Sequence, residues 1–169
     1  MVEVQDELSS KIFVTLKPFA DIGFLSEDLK LLAGKVSKYF RSTISDPTLQ
    51  LDILEILLLS AKVETFNRRF HHSLVFSSFA LENLHKCEFP LKETFQWECY
   101  QTIIDTLLQL IDENLGGKAD RKQIEKKKCV NALSQIVNLL ANQIDSVIIS
   151  NERLARLLAN AFKVVGEEN

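Results

Sequence analysis

The sequence predicts an all-α fold, and three observations lead to that prediction. Glycine and proline are scarce, with 5 and 3 among 169 residues, which leaves few turn residues for a fold of many short strands. Apolar residues recur at helical spacing over long segments, and no segment alternates apolar and polar residues as a half-buried strand does. Helix start signals, such as Asp46-Pro47, precede those segments. With 46% apolar and 25% charged residues, the chain is able to bury a substantial core.

Two helices are predicted in the first part of the chain. The first covers about residues 3–16 and ends before Pro18, because the residue that precedes a proline disfavours the helical conformation. The second follows Ser26, a good N-cap, and carries Glu27 and Asp28 in its first turn, where acids suit the helix dipole. It fades near Ser42.

The third predicted helix has the clearest start, since Asp46 is the cap and Pro47 takes the first helical position. It continues to about Lys62 and is apolar on nearly every side. Its polar residues form one narrow stripe: Thr48, Asp52, Glu55 and Lys62. A helix of this kind contacts protein around most of its circumference. We therefore expect it at the centre of the fold, with Leu57 and Leu58 in the core.

Four more helices complete the prediction. They cover about residues 67–85, about 90–115, about 120–142 and a last segment after Ser150. Pro90 opens the second of these and Gly116-Gly117 closes it, as glycine often does after a helix. The last helix is expected to end before Gly166, with a frayed tail behind it. We treat residues 1–169 as a single all-α domain, which is either whole or the N-terminal part of a larger helical-repeat protein.

Two segments are similar to each other. Residues 53–70 read ILEILLLSAKVETFNRRF and residues 133–151 read LSQIVNLLANQIDSVIISN. Each is an apolar helix that ends in a small residue and leads through a short turn to a new helix. The ending formed by Ile136, Asn138, Leu139 and Ala141 resembles that of inner helices in armadillo and HEAT repeats. The resemblance extends over about residues 29–165 and implies an irregular stack of helical repeats. An irregular helical bundle is the alternative.

Charge and cysteine content narrow the class of protein. A net charge of −3 argues against nucleic acid as the main partner, since nucleic-acid-binding domains usually carry a basic surface. The N-terminus has acids where a signal peptide needs a basic region, and no segment reads as a membrane span. Three widely spaced cysteines, Cys87, Cys99 and Cys129, form no disulfide framework. We interpret them as reduced, buried thiols of a cytoplasmic or nuclear protein without membrane partners.

The segment NRRFHH, residues 67–72, holds two of the three histidines but does not predict a metal site. Neighbouring residues on a helix point about 100° apart, so His71 and His72 do not share a face. Glu82 and His85 have the spacing of half a di-iron site, but a second such pair is missing. Phosphate-binding loops and nucleophile motifs are missing too. We expect no metal, no cofactor and no catalytic residue.

Charged clusters offer two candidate contacts. Arg68 and Arg69 either bind a partner's carboxylate or close the preceding helix, where cations suit the dipole. The run KADRKQIEKKK, residues 118–128, is interpreted as a solvated loop and helix start rather than a site for nucleic acid or lipid.

Polar stripes are the strongest candidate site. Asn131, Gln135, Asn138 and Asn142 follow steps of four, three and four residues, so they share one helix face. Similar lines lie on the two other long helices: Glu98, Gln101, Asp105 and Asp112 on one, and Asp52 and Glu55 on the other. If these helices stack side by side, the lines form a polar groove. Amides pair with the backbone of an extended peptide, and the acids favour a basic one. The alternatives are an internal ladder between helices or a solvated face.

These observations predict a non-enzymatic protein–protein interaction module, a scaffold or adaptor that binds a peptide or helix of another protein. The alternative is a regulatory helical bundle that forms a homodimer through an apolar helix face. A third hypothesis is a helical enzyme without a recognisable motif.

Overall fold

The structure, a computed structural model, describes residues 2–19, 26–41, 46–84, 92–113, 120–142 and 152–168. These residues contain helices and no strand, which confirms the all-α prediction. The helices are α1 (Val2–Leu16), α2 (Glu27–Arg41), α3 (Pro47–Phe66), α4 (Phe70–Leu84), α5 (Lys92–Glu113), α6 (Asp120–Ala141) and α7 (Glu152–Glu168). Within the described ranges, no helix combines the length and the apolar content that crossing a bilayer requires.

The helix starts follow the predicted caps. The Asp46 carboxylate accepts hydrogen bonds from the backbone N–H groups of Thr48 and Leu49, at 3.0 and 3.4 Å. Ser26 Oγ accepts from the backbone N–H of Leu29 at 3.4 Å. Each cap satisfies donors that have no partner in the first helical turn, so local chemistry alone sets where α2 and α3 begin.

The chain forms two compact units, residues 1–99 and residues 100–169, and the boundary falls within α5. In the first unit α4 packs against both α1 and α3. Its core contains fully buried Ile12, Leu16, Leu54, Leu74 and Leu84. Buried Gln96 of α5 donates from Nε2 to Ser9 Oγ of α1 at 3.2 Å, so a polar contact joins these two helices. A single domain over residues 1–169 stays a prediction.

In the second unit α6 packs against α7. The buried residues of α7 are spaced by four, three and four: Leu154, Leu158, Ala161 and Val165. On α6 the fully buried Leu133, Ile136 and Leu140 show the same three- and four-residue steps. This spacing is the pattern of an amphipathic helix with one core-facing side.

Three predicted helix boundaries differ from the structure. Helix α3 continues four residues past Lys62, to Phe66, and α4 begins at Phe70 rather than at Asn67. Helix α7 does not end before Gly166 but continues through it to Glu168. Glycine lowers helix stability by about 1 kcal/mol without ending a helix, and buried Val165 keeps the last turn in place. The predicted signals at Pro90 and Gly116-Gly117 lie outside the described residues.

The expectation that α3 contacts protein around most of its circumference is wrong. Leu54, Leu57, Leu58 and Ala61 are buried, as predicted for the core, but five large apolar residues of the same helix are exposed. Helix α3 therefore has two apolar sides, and the described fold buries only one of them. The apolar content of a helix does not reveal how many neighbours it has.

Candidate interaction surfaces

An exposed apolar stripe follows the length of α3. Leu49, Ile56, Leu59, Val63 and Phe66 are 44%, 62%, 61%, 47% and 87% exposed. Together with exposed Asp52 they are spaced by three, four, three, four and three residues. We call these six residues the α3 seam. Their spacing is that of alternating a and d positions in a coiled coil, the pattern by which one helix packs along another.

The seam lies on the side of α3 that faces away from its own core. Its buried residues, Gln50, Leu54, Leu57, Leu58, Ala61 and Thr65, occupy the other positions of the same heptads. A monomeric protein rarely exposes an apolar patch of more than a few hundred Å² without a function for it. The α3 seam exposes on the order of 500 Å² through four aliphatic side chains and a phenylalanine, which places it in the range of the largest patch on a typical monomer, and such a patch is often functional.

Charged residues flank one edge of the seam. Glu55 and Lys62, seven residues apart, occupy equivalent positions in successive heptads and are both exposed. Lys62 Nζ lies 4.0 Å from Glu98 Oε2, with both side chains about half exposed. An ion pair this long and exposed contributes little stability, so Lys62 is able to turn toward another partner. Glu98, one of the predicted partner-binding residues, thus lies beside the seam.

The segment NRRFHH forms the junction between α3 and α4. The backbone N–H of Arg69 donates to the Glu64 carbonyl at 2.8 Å, and that of Arg68 donates to the Thr65 carbonyl at 3.0 Å. This pair of bonds is a Schellman motif, and it places Arg68 in the left-handed conformation with φ 63°. Arg69 Nε lies 2.9 Å from Glu64 Oε2. Both arginines therefore serve the helix junction, and their contact with a partner stays a prediction.

Hydroxyl groups complete this junction from inside. Thr65 Oγ1 and Ser73 Oγ lie 2.6 Å apart in a buried site, and Thr65 Oγ1 also donates to the Ala61 carbonyl at 3.1 Å. His71 and His72 follow at the start of α4 and are half-buried. Among the described residues no group of three His, Cys, Asp or Glu side chains is arranged to hold a metal ion. His85 and Cys87 lie outside the described residues.

The amide stripe of α6 is exposed along its whole length. Asn131, Gln135 and Asn138 of α6 are exposed, as is Asn142 directly after the helix, while Ile136 and Leu140 of α6 are buried. A buried ladder between packed helices does not fit this exposure. The stripe is therefore either a solvated face or a surface for a partner, two of the alternatives that the sequence left open.

The other predicted polar residues are spread along α5 and the start of α6. Gln101 and Asp105 are half-buried, and Asp105 accepts a hydrogen bond from Gln109 Nε2 at 3.2 Å. They belong to the second unit, whereas Glu98 belongs to the first. A groove that joins these residues with the amide stripe stays a prediction. Most of the basic run before Ile124 lies outside the side chains that the structure describes.

Two cysteines are core residues. Cys99 and Cys129 are free and buried. Burial raises the pKa of the Cys99 thiol well above its ordinary value, and Glu98 adds to the effect. Burial, with a smaller contribution from Glu125, raises the pKa of Cys129 to about 12. A thiol that stays protonated is a poor nucleophile and metal ligand, so neither residue is suited to catalysis at neutral pH.

A cleft of about 330 Å³ in the first unit is one candidate site for a small ligand. It is lined by Phe13, Lys17, Ser37, Val75, Ser78, Phe79 and Glu82. One cation, one anion and two hydroxyls offer hydrogen bonds to a ligand, but they include no activated nucleophile.

The α3 seam is the surface that the sequence interpretation missed. The signal was present, because the apolar residues of α3 fill two faces and one of them keeps heptad spacing over 18 residues, from Leu49 to Phe66. Comparison of the chain with family models, curated proteins and solved structures finds no match.

Proposed function

We propose that the chain is a non-enzymatic protein–protein interaction module that binds through the α3 seam. The observation that carries this proposal is the heptad spacing of five large exposed apolar residues on a helix whose other side is already packed. A surface of this kind is stabilised by a second helix that covers it, since burial removes apolar area from water. We also propose a cytoplasmic or nuclear location, which the free thiols favour.

The amide stripe is a second candidate surface, for an extended peptide. Its support is that all four amides are exposed in one line, where each offers a donor and an acceptor. An armadillo- or HEAT-like stack is the proposed architecture for this mode, and a basic or extended peptide segment of another protein is the proposed partner.

The seam is tested by a matched pair of variants. Leu59→Lys places a charge in the middle of the seam, while Leu31→Lys makes the same change on α2 at a residue of equal exposure, 62% against 61%. The tagged chain and both variants are used to capture proteins from the source cell, followed by titration of each purified partner. We expect Leu59→Lys to lose partners that Leu31→Lys retains. If all three chains bind the same partners equally well, the seam is not the docking surface.

The amide stripe is tested by the double variant Gln135→Ala/Asn138→Ala. Both residues are exposed, so unfolding should be nearly unchanged, and alanine favours the helix slightly. Loss of a partner that Leu59→Lys retains would assign that partner to the stripe. A double variant that binds every partner at full strength would show that the stripe is a solvated face.

A further inference from the structure

We infer that the occupant of the α3 seam is the α3 seam of a second copy of this chain, packed antiparallel about a two-fold axis. This inference rests on the proposed function, since it names the partner of the same surface. It follows from three properties of the seam: its heptad spacing, the position of its one acid, and the charges on its edge.

The spacing of the seam is self-complementary in the antiparallel direction. When Leu49 faces Phe66 of the second copy, Ile56 faces the second copy's Leu59 and Asp52 faces its Val63. Each layer then pairs an a position with a d position, which is the arrangement of antiparallel coiled coils. The same surface on both chains meets itself, as a two-fold interface requires.

The position of Asp52 decides between the antiparallel and parallel directions. In a parallel pair, Asp52 would lie directly opposite Asp52 of the second copy, and two like charges would share the apolar seam. In the antiparallel pair, each Asp52 lies opposite a valine and beside Lys62 of the other chain. A single polar residue within a heptad seam commonly sets register and orientation.

The charges on the edge favour the same direction. Antiparallel packing brings Glu55 of one chain beside Lys62 of the other, and the two-fold axis repeats this pair. Glu55 has no ion-pair partner among the described side chains, and Lys62 has only the 4.0 Å contact to Glu98. Parallel packing would instead place Glu55 beside Ser60, without charge complementarity. Exposed ion pairs contribute mainly to orientation and specificity.

The area is large enough for a specific but weak dimer. Two seams bury on the order of 1,000 Å² before flanking residues are counted, which is the lower limit for a specific interface. We therefore expect a dissociation constant of roughly micromolar magnitude.

Sedimentation equilibrium of the full chain tests association, over concentrations from about 1 to about 200 µM. We expect a monomer–dimer equilibrium for wild type and Leu31→Lys, and a monomer for Leu59→Lys. The emission of Trp97, which is buried in the first unit, checks that each variant is folded.

A charge exchange then tests the edge: Glu55→Lys and Lys62→Glu should each weaken dimerisation by about 3- to 10-fold, and the double variant should restore it.

Cross-linking tests the direction. Chains carrying Leu49→Cys are mixed with chains carrying Phe66→Cys, both in a Cys87→Ser background, and are treated with a short bis-maleimide. Buried Cys99 and Cys129 stay protonated, so they do not react with the maleimide. The antiparallel pair predicts links between the two different chains. It predicts few links between like chains, because equivalent residues at the helix ends are about 25 Å apart.

Each outcome is decisive. Monomers at every concentration, or a dimer that persists in Leu59→Lys, would overturn the inference, and links between like chains would overturn the antiparallel direction. If the chain is monomeric but Leu59→Lys still loses another protein that Leu31→Lys retains, the proposed function stands and only the self-association fails. If no binding depends on the seam, both fail.

Discussion

Truncation of two neighbouring leucines should separate the two sides of α3. Leu58 is 3% exposed and Leu59 is 61% exposed, although they are adjacent in the same helix. Leu58→Ala removes buried carbons worth about 0.8 kcal/mol each and leaves a cavity, so we expect a loss of about 3 kcal/mol in the free energy of unfolding. Leu59→Ala removes atoms that already contact water, and we expect a change within about 0.5 kcal/mol.

Urea denaturation followed by Trp97 fluorescence is the appropriate assay. The chain has one tryptophan, and Trp97 is buried in the first unit together with α3, so its emission reports that unit. With a denaturant slope of about 1.5–2 kcal/mol per M, Leu58→Ala should lower the midpoint by about 1.5–2 M. Protein at about 0.05 µM, well below the expected dissociation constant, keeps most of the chain monomeric and so nearly removes any contribution of dimerisation to stability.

One result with this pair of variants would contradict the assignment of a buried and an exposed side to α3. Equal losses for Leu58→Ala and Leu59→Ala at this dilution would mean that the monomer buries both sides of α3. The seam would then be a core face, and both the docking surface and its self-association would lose their basis. A loss for Leu59→Ala that appears only at high protein concentration would instead support association.

Three further predictions concern two backbone positions and the dependence of stability on pH. Arg68→Gly should raise the free energy of unfolding by about 0.5–1 kcal/mol, because glycine adopts φ 63° without strain. Gly34→Ala should raise it by about 1 kcal/mol, because alanine favours the helix and α2 leaves open space for its Cβ. Thermal melts in which either variant is less stable than wild type would contradict the geometry. The buried Cys129 thiol titrates near pH 9 when unfolded and near 12 when folded, so its contribution is complete below pH 9 and is lost as the pH rises toward 12. Unfolding is followed by circular dichroism for wild type and Cys129→Ala at a series of pH values. Above pH 9 the free energy of unfolding of wild type should fall by up to about 1.4 kcal/mol more per pH unit than that of the variant. Parallel pH profiles for the two proteins would show that the thiol is not buried.

Much of the secondary structure was predictable because its causes are local. The Asp46 cap and Pro47 specify the start of α3 through hydrogen bonds and a backbone angle that involve only neighbouring residues. The prediction that Leu57 and Leu58 lie in the core is confirmed, although the apolar content of α3 did not distinguish them from exposed Leu59. The end of α7 was missed because Gly166 suggested a stop, whereas packing of Val165 outweighed the low helix propensity of glycine.

The candidate sites were predictable only in part. The amide stripe was read from spacing alone, and its exposure agrees with a surface role, but spacing does not distinguish a partner from water. The arginines at the junction show the opposite limit. Arginine is not a residue type expected at positive φ, so the left-handed conformation of Arg68 depends on how α4 is placed after α3.

The sequence by itself determined an all-α chain, the starts of α2 and α3 and the residues able to form a core. Those properties depend on caps, spacing and composition, which act over a few residues. Only the tertiary structure decided that Leu58 is buried and Leu59 exposed, because that choice depends on which side of α3 meets α4. Both leucines have the same hydrophobicity, and a helix that is apolar on two sides gains comparable free energy from packing either one. The side left exposed, the α3 seam, is where we expect this protein to bind.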